Sequence, residues 1–292
     1  MYMGNTTDIK AEEIGQHYVD LHKILGDKNV RVPHFVERWL GKLLHVDQIN
    51  DTIYRNRHLF GLDFVYAFIE GEEPWNLGMK ITVRGLERLP EDGCPMVVGN
   101  HPLGGPDGLA LMDAVGRRRQ DIVFPVTDFL LYLPGLRSLF VPINKVSRSK
   151  SMAGLEEAFA GDNVLLYYPS GAASRRRKGI IRDLDWHPTV VKKAVRYHRD
   201  IVPVYTEARN RGIFYRVANL RRCLGIKFSF EMAMLPAEMF AQRGKHITIT
   251  FGAPIPWQTF DQSHTATEWA SLLRDHVYKL KGNPDALFTH HS

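Results

Sequence analysis

The chain has 292 residues, 44% of them hydrophobic, and a formal net charge of +6 at neutral pH. This length and hydrophobic content are enough for a packed core, and two cysteines, Cys94 and Cys223, are too few for a disulfide framework or a sulfur-bound zinc site. A reducing cytoplasm is therefore the expected compartment. The positive charge favours an anionic partner, and composition alone leaves nucleic acid, a phospholipid surface and a phosphorylated cofactor open.

The first part of the chain, residues 1–78, is predicted to be a helical segment, because its apolar residues recur at intervals of three and four. The stretch "VPHFVERWLGKLL" (32–44) combines Phe35 and Trp39 with basic side chains, which suits a helix that lies in a membrane interface. The same stripe also suits packing on the rest of the protein, and both interpretations stay open. No uninterrupted apolar run of eighteen residues and no secretory signal occur, so we expect neither a membrane-spanning helix nor export.

From residue 79 to residue 292 the pattern changes to short β-branched runs separated by helical stretches, which predicts an α/β domain. Strands that alternate with helices form a largely parallel central sheet flanked by helices. A final helix over 266–281 is predicted from the capping-box pair Thr265 and Glu268. The predicted strands are "MKITVRG", "PMVVGN", "DIVFPV", "NVLLYYP", "DIVPVYTE" and "KHITITFG". Ligands of such sheets bind beyond the carboxyl ends of the strands, so the polar residues that follow these runs are the candidates for function.

The most informative of these residues are His101, at the exit of the strand "PMVV", and Asp107, six positions later. A carboxylate that accepts the hydrogen of one ring nitrogen leaves the other nitrogen free to take a proton from an attacking hydroxyl. The intervening "PLGGP" has two prolines that restrict the loop and two glycines that let it fold back. In the alternative interpretation Asp107 only caps the helix from Gly108 and His101 fills space. Both interpretations can hold together, since a carboxylate has two oxygens.

Asn100 and His101, followed at short distance by Asp107, resemble the first sequence block of the glycerolipid (lysophospholipid) acyltransferase superfamily. The usual spacing leaves four residues between histidine and aspartate, whereas this chain has five, as in the haemolysin-like branch that includes lyso-aminolipid O-acyltransferases. The resemblance extends over roughly residues 45 to 256. It implies a glycerolipid acyltransferase-like fold, with His101 as the catalytic base and Asp107 as the acid that orients it.

Three later segments are similar to the other blocks of the family, in the same order. "LFVPINKVSR" has Asn144 and Lys145 where the family has Asp-Arg, and "IVPVYTEARN" supplies the proline of the fourth block. "YYPSGAASR" corresponds to the third block, but Ser170 and Ala173 replace the glutamate and arginine that help bind glycerol phosphate. Substrate-binding roles are accordingly predicted for Asn100, Gly104, Gly105, Asn144, Lys145, Pro169, Ser170, Gly171, Ser174 and Arg175.

The same resemblance implies a reaction in which an acyl thioester, acyl-CoA or acyl carrier protein, donates its acyl group to a hydroxyl of a lyso-lipid. The missing glycerol phosphate contacts favour a lyso-aminolipid acceptor. The alternative is acylation of lysophosphatidic acid, with the basic run "RRRK" from Arg175 replacing the lost arginine. Backbone N–H groups of the Gly104–Gly105 or Ser170–Gly171 loops are candidates for binding the oxyanion, although these glycines also suit plain turns.

No cofactor and no metal are expected beyond the acyl donor. An anionic membrane surface is the expected docking partner, which places the enzyme at the inner face of the cell membrane. A non-catalytic lipid-binding protein on the same scaffold is a further alternative. Nucleic acid is not expected, because no helix-turn-helix, zinc-finger or aromatic-basic strand pattern accompanies the basic charge.

Overall fold

A computed structural model describes residues 19–27, 32–71, 76–127, 133–143, 148–226 and 229–289. Its centre is a mixed β-sheet, with a separate β-hairpin after the fifth strand. The strands are β1 (Lys80–Arg84), β2 (Met96–Gly99), β3 (Ile122–Thr127), β4 (Phe140–Ile143), β5 (Val164–Tyr167), β6 (Arg175–Arg177), β7 (Ile180–Arg182), β8 (Ile201–Glu207) and β9 (His246–Phe251).

Within the described ranges the sheet has seven strands in the order β1-β9-β8-β2-β5-β3-β4, and β6 pairs only with β7. Every neighbouring pair in the sheet is parallel except β8 and β9, so the predicted largely parallel sheet is confirmed. β2 is the central strand, with Val98 opposite Tyr167 on one side and Pro203 on the other. Because β5 and β8 both run parallel to β2, all three strands end at the same edge of the sheet.

Helices cover both faces of this sheet, as parallel strands require. They are α1 (Leu21–Asp27), α2 (His34–Leu43), α3 (Val46–Arg55), α4 (Leu62–Glu70), α5 (Pro106–Gly116), α6 (Arg148–Ala160), α7 (Thr189–Arg196), α8 (Gly212–Cys223), α9 (Leu235–Phe240) and α10 (Ala266–Lys279). Short 3₁₀ turns occupy Leu86–Arg88, Pro134–Leu139, Phe230–Met234 and Trp257–Thr259.

Two large apolar clusters of described residues cover the two faces of the sheet, because successive side chains of a strand point to opposite faces, and a small third cluster contains Ala173, Phe214 and Tyr215. On β2, Val97 belongs to the cluster that α3, α4 and α5 cover, whereas Met96 and Val98 belong to the cluster under α6, α7 and α10. The same alternation along β5 and β8 extends both clusters across the sheet. The buried strand is thereby held from both sides, and its end is a rigid support for the residues that follow.

The described residues before β1 contain the four helices α1 to α4 and no strand. Ile49 of α3 and Phe64 of α4 are buried in the same cluster as the sheet residues. α2 buries none of its side chains, and its Phe35 and Trp39 are 75% and 62% exposed. The division into a segment over 1–78 and a domain over 79–292 stays a prediction.

At the other end of the chain, the predicted capping box begins α10. The Thr265 hydroxyl accepts the N–H of Glu268 at 3.3 Å, and the Glu268 carboxylate accepts the N–H of Thr265 at 2.7 Å. Trp269, Leu273 and Val277 of α10 then pack into the second cluster. Among the described residues, no helix combines the length and apolar character needed to cross a bilayer.

Candidate active site

The loop after β2 brings His101 and Asp107 into contact. The His101 Nδ1 atom lies 2.9 Å from Oδ2 of Asp107. The chain reverses within these six residues because Gly104 adopts a left-handed φ of +86°, where a side chain would also crowd Ala173 and Leu235. Pro106 then begins α5 with its fixed φ. The loop therefore has one shape, and that shape presents the carboxylate to the imidazole.

The carboxylate of Asp107 is fully buried and each of its oxygens accepts two hydrogen bonds. Oδ2 accepts from His101 and from the N–H of Leu103 at 3.0 Å. Oδ1 accepts from the N–H groups of Gly105 at 3.0 Å and Gly108 at 3.1 Å. Asp107 is thus inside the first turn of α5, whose N-cap is Gly105. The capping and the histidine contact hold together, as the two oxygens allow.

Charge and hydrogen bonding set the protonation of this pair. Burial alone would raise the pKa of Asp107, but the imidazole of His101 and the backbone N–H donors outweigh it and lower that pKa. Burial alone would lower the pKa of His101, but the charge and hydrogen bond of Asp107 raise it. An ionised Asp107 requires a hydrogen on Nδ1 of His101. Nε2 is then the acceptor nitrogen, and no hydrogen bond within the described residues occupies it.

An aromatic ring holds the plane of the imidazole. Tyr168, the residue after β5, stacks on His101 with 4.3 Å between ring centroids and 20° between planes. Phe124 of β3 meets the edge of Tyr168 at 5.5 Å and supports it from the side. Burial, together with the nearby carboxylates, raises the pKa of the Tyr168 hydroxyl well above its ordinary value. Tyr168 therefore acts here as a neutral platform, a role that its place in the third sequence block did not indicate.

A second buried carboxylate, Asp183, holds the backbone of the same loop. Both its oxygens lie 3.2 Å from the N–H of His101, Oδ1 accepts the hydroxyl of Ser174 at 2.5 Å, and Oδ2 accepts the indole N–H of Trp186 at 2.9 Å. Burial raises the pKa of Asp183, while its hydrogen bonds oppose that rise. Sequence reasoning missed Asp183, since 82 residues separate it from His101. The only signal was its place just before the Trp186-His187-Pro188 entry to α7.

Two of the predicted substrate-binding residues make structural bonds around the pair. The side-chain amide of Asn100 pairs with the backbone of Thr206 in β8, at 2.7 and 3.0 Å, and so ties the end of β2 to its neighbour. The N–H of Ser174 donates to the carbonyl of His101 at 2.7 Å. Both residues also line the cleft described below. The third sequence block is therefore adjacent to the first.

The candidate oxyanion donors divide into two groups. The N–H of Gly105 is used by Asp107, and that of Gly171 closes a turn onto Tyr168 at 3.1 Å. The N–H groups of Gly104 and Ser170 have no hydrogen bond within the residues that the structure covers. The Ser170 hydroxyl donates to the carbonyl of Ala172 at 2.9 Å, so it serves the turn. Pro169 is buried, and its carbonyl accepts the N–H of His187 at 3.1 Å.

The structure does not bring Arg175 to the cleft. Its guanidinium is buried, donates to the fully buried Glu231 at 3.0 Å, and lies over the ring of Phe214 at 5.2 Å. A cation that already has a buried partner of opposite charge has little to offer a substrate. Asn144 and Lys145, at the positions of the second sequence block, lie outside the described residues.

A cleft of about 1010 Å³ opens beside the pair, at the carboxyl edge of the sheet. Asn100 and Pro102, the neighbours of His101, line it together with the residues that follow β8. The β6–β7 hairpin and the beginning of α8 form its other walls. Its charged lining is mostly positive, with Arg176, Arg209, Arg211, Lys245 and Lys281 against the acidic Glu207. The cleft suits an anionic ligand.

A family model described as acyltransferase matches residues 24–287. The lyso-glycine lipid O-acyltransferase of Bacteroides thetaiotaomicron is 43% identical over 269 residues, covering 90% of this chain and 97% of that protein. The protein of the same name from Phocaeicola vulgatus is 42% identical over 269 residues, covering 90% and 95%. A crystal structure of the 1-acyl-sn-glycerophosphate acyltransferase PlsC from Thermotoga maritima covers 90% of this chain and 88% of its own, with a TM-score of 0.49 and 16% identity.

A histidine–carboxylate pair at the carboxyl edge of a largely parallel sheet is an arrangement that general-base chemistry can use. The family model and the two relatives show that the chain belongs to the acyltransferase family. The family resemblance inferred from the His101 and Asp107 block is confirmed, and the protein is an acyltransferase enzyme.

Proposed function

We propose that the protein transfers an acyl group from an acyl thioester to the hydroxyl of a lyso-glycine lipid. The observation that carries the proposal is the His101–Asp107 pair, whose Nδ1 to Oδ2 contact leaves Nε2 of His101 as a base. The choice of acceptor is supported by the two relatives, both lyso-glycine lipid O-acyltransferases, which match nearly the whole chain. Ser170 and Ala173, in place of the glycerol phosphate contacts, agree with an acceptor that has no phosphate.

In the proposed reaction, Nε2 of His101 removes the proton of the acceptor hydroxyl as its oxygen attacks the thioester carbonyl carbon. A tetrahedral oxyanion forms, and its collapse breaks the carbon–sulfur bond. The departing thiolate takes the proton from His101, so the products are an ester and a free thiol. Asp107 stabilises the imidazolium that exists between the two proton transfers. No covalent acyl-enzyme is needed, and the Ser170 hydroxyl has no part in the reaction.

The oxyanion needs donors that are not already engaged, and Gly104 and Ser170 supply the two candidate N–H groups. Gly104 lies on the loop that carries His101 and Asp107, so its N–H is held by the same hydrogen bonds as the pair. We assign Gly104 as the first donor for this reason. Replacing the neighbouring Gly105, whose N–H already serves Asp107, is the matched control for any backbone substitution in this loop.

An acceptor panel tests the reaction and distinguishes the alternatives. Purified enzyme is given a radiolabelled acyl thioester, as acyl-CoA in one arm and acyl carrier protein in the other. Acceptors are a lyso-glycine lipid, a lyso-ornithine lipid and lysophosphatidic acid at matched chain length. Transfer to the glycine lipid above the others supports the proposal. Preferential transfer to lysophosphatidic acid would support the alternative acceptor, and transfer to none of the three would contradict a lyso-lipid acyltransferase.

The protein is also proposed to dock on the inner face of the cell membrane, where a lyso-lipid acceptor resides. The exposed Phe35 and Trp39 of α2 support this proposal, because large apolar side chains in water favour an interface. A second exposed apolar stripe lies along α8, whose amino end borders the cleft. Its members, spaced along one side of the helix and the turn after it, are Ile213, Leu220, Leu224 and Ile226. The net charge of +6 favours anionic lipid.

Sedimentation with vesicles tests the docking. The double change Phe35→Ser with Trp39→Ser should weaken binding to vesicles that contain anionic phospholipid by about tenfold or more, since each buried apolar side chain contributes about 1.5–3 kcal/mol. Leu287→Ser removes an equally exposed apolar side chain from outside both helices and is the matched control. Equal binding by the wild type and the double variant would contradict a role for α2.

A further inference from the structure

Three consecutive arginines form β6, and each of their side chains has a different environment. Arg175 points to the interior, where it pairs with Glu231, and Arg177 is exposed to solvent. Arg176 lies between them on the opposite side of β6 and lines the cleft. The sequence run thus contains one structural arginine, one solvent-exposed arginine and one arginine that faces the site.

The guanidinium of Arg176 has an aromatic support but no anionic partner. Its Cζ lies 5.5 Å from the ring centroid of Tyr215. No carboxylate within 4 Å and no hydrogen-bond partner is found for it among the residues described, and its Nε atom is shielded from solvent. The Nε–H group of this half-buried guanidinium has lost water without gaining a hydrogen-bond partner or a counter-ion. This is the state expected of a side chain whose partner is a ligand.

The other cations of the cleft are placed differently. Arg211 donates to the buried Glu238 at 2.9 Å, and Lys281 lies 3.3 Å from Glu207. Both are therefore already neutralised by acidic side chains. The two that remain have exposed side chains, where water competes with any ligand. These are Arg209 and Lys245.

Arg176 is also close to the catalytic pair along the chain. Ser174, two residues earlier, donates its N–H to the carbonyl of His101 at 2.7 Å. Two steps of extended chain advance by roughly 7 Å, and both Ser174 and Arg176 line the cleft. The guanidinium of Arg176 and the loop of His101 are therefore connected through Ser174 at one side of the cleft.

We propose that Arg176 is the binding site for the carboxylate of the acceptor, a role that rests on the proposed glycine-lipid function. A glycine joined to a lipid through its nitrogen has one carboxylate, which is planar and carries a single charge. A guanidinium matches this shape with two parallel N–H donors. In the third sequence block, Ala173 stands where the family has an arginine. Arg176 supplies a cation three residues later in the chain.

The test compares two acceptors, a lyso-glycine lipid with a free carboxylate and the same lipid as its glycinamide, which has no charge. Steady-state KM and kcat are measured for the wild type, Arg176→Gln, Arg176→Lys and the matched control Arg177→Gln. We expect Arg176→Gln to raise KM for the carboxylate acceptor about 10- to 100-fold and to leave KM for the glycinamide within about twofold. Arg176→Lys should restore part of the affinity, and Arg177→Gln should match the wild type.

The outcomes separate the Arg176 assignment from the reaction itself. If the wild type acylates the glycine lipid and Arg176→Gln has an unchanged KM, or an equal rise for both acceptors, the carboxylate assignment is wrong while the proposed function stands. If the wild type acylates neither acceptor, the proposed function fails, and the assignment fails with it. Thermal unfolding of each variant shows whether it is folded, and the partial rescue by lysine distinguishes lost charge from lost structure.

Discussion

Changing Asp107 to Asn tests how the buried carboxylate orients the base. Each oxygen of Asp107 accepts two N–H groups, so either rotamer of an asparagine points its NH₂ group at two donors. Two buried donors lose their acceptor, and at about 1–3 kcal/mol each the free energy of unfolding falls by about 2–6 kcal/mol. If the NH₂ faces His101, the imidazole hydrogen moves to Nε2 and the base is lost. General-base catalysis is worth about 10²- to 10⁴-fold in kcat, and a loss of that order is expected.

The pH dependence of kcat/KM gives a second measurement on the same variant. A general base works only when deprotonated, so activity rises with pH through the pKa of His101, which the charge of Asp107 raises. In Asp107→Asn that cause is gone while burial still lowers the pKa, and the acid limb of the profile moves to lower pH. Asp113→Asn, a buried carboxylate on the same helix that pairs with Arg117, is the control. A folded Asp107→Asn enzyme with wild-type kcat and an unmoved acid limb would refute this reasoning.

Three further changes have expected outcomes. Asp183→Asn should lower kcat by about 10- to 100-fold, with the acid limb again at lower pH, because the His101 loop loses an anionic anchor; an unchanged profile would argue against this role. Burial lowers the pKa of His276 to about 4, so below about pH 6.5 the unfolded chain binds a proton that the folded chain does not, and the free energy of unfolding falls as pH drops from 6.5 to 4. His276→Leu should flatten this decline in urea titrations, whereas the change of the exposed His34 to Gln should not. Gly104→Ala should reduce stability by about 1–3 kcal/mol in thermal unfolding, because φ is +86° and Leu235 lies 3.0 Å from the added carbon, while Gly105→Ala should be tolerated.

The fold class and the central pair could be predicted because both leave local marks in the sequence. Strand-like runs that alternate with helical stretches predict the parallel sheet. His101 follows a strand and Asp107 comes six residues later, so one loop contains both partners of the contact. A loop that must close on itself needs the glycines and prolines that are visible between the two residues. Local chemistry of this kind can be interpreted without knowing what packs around it.

The remaining features of the site depend on contacts between distant segments. Asp183 acts through the backbone of a residue 82 positions away, and no periodicity relates the two. Arg175 and Arg176 have the same side chain and adjacent positions, so composition could not tell which one faces the cleft. The buried Glu231 decides it by pairing with Arg175, and it lies 56 residues further along the chain. Which arginine of the run faces the cleft thus depends on an ion pair between distant segments, and the sequence alone does not reveal that pair.

The most direct test of the central claim is acyl transfer by His101→Ala, measured with labelled acyl thioester and a lyso-glycine lipid. Because His101 supplies the only base that the proposed reaction uses, we expect kcat to fall by at least about 10²-fold while the variant remains folded by circular dichroism. Loss of transfer with intact structure is the result predicted from the contact between His101 and Asp107. A folded His101→Ala enzyme that transfers acyl groups at the wild-type rate would contradict the account.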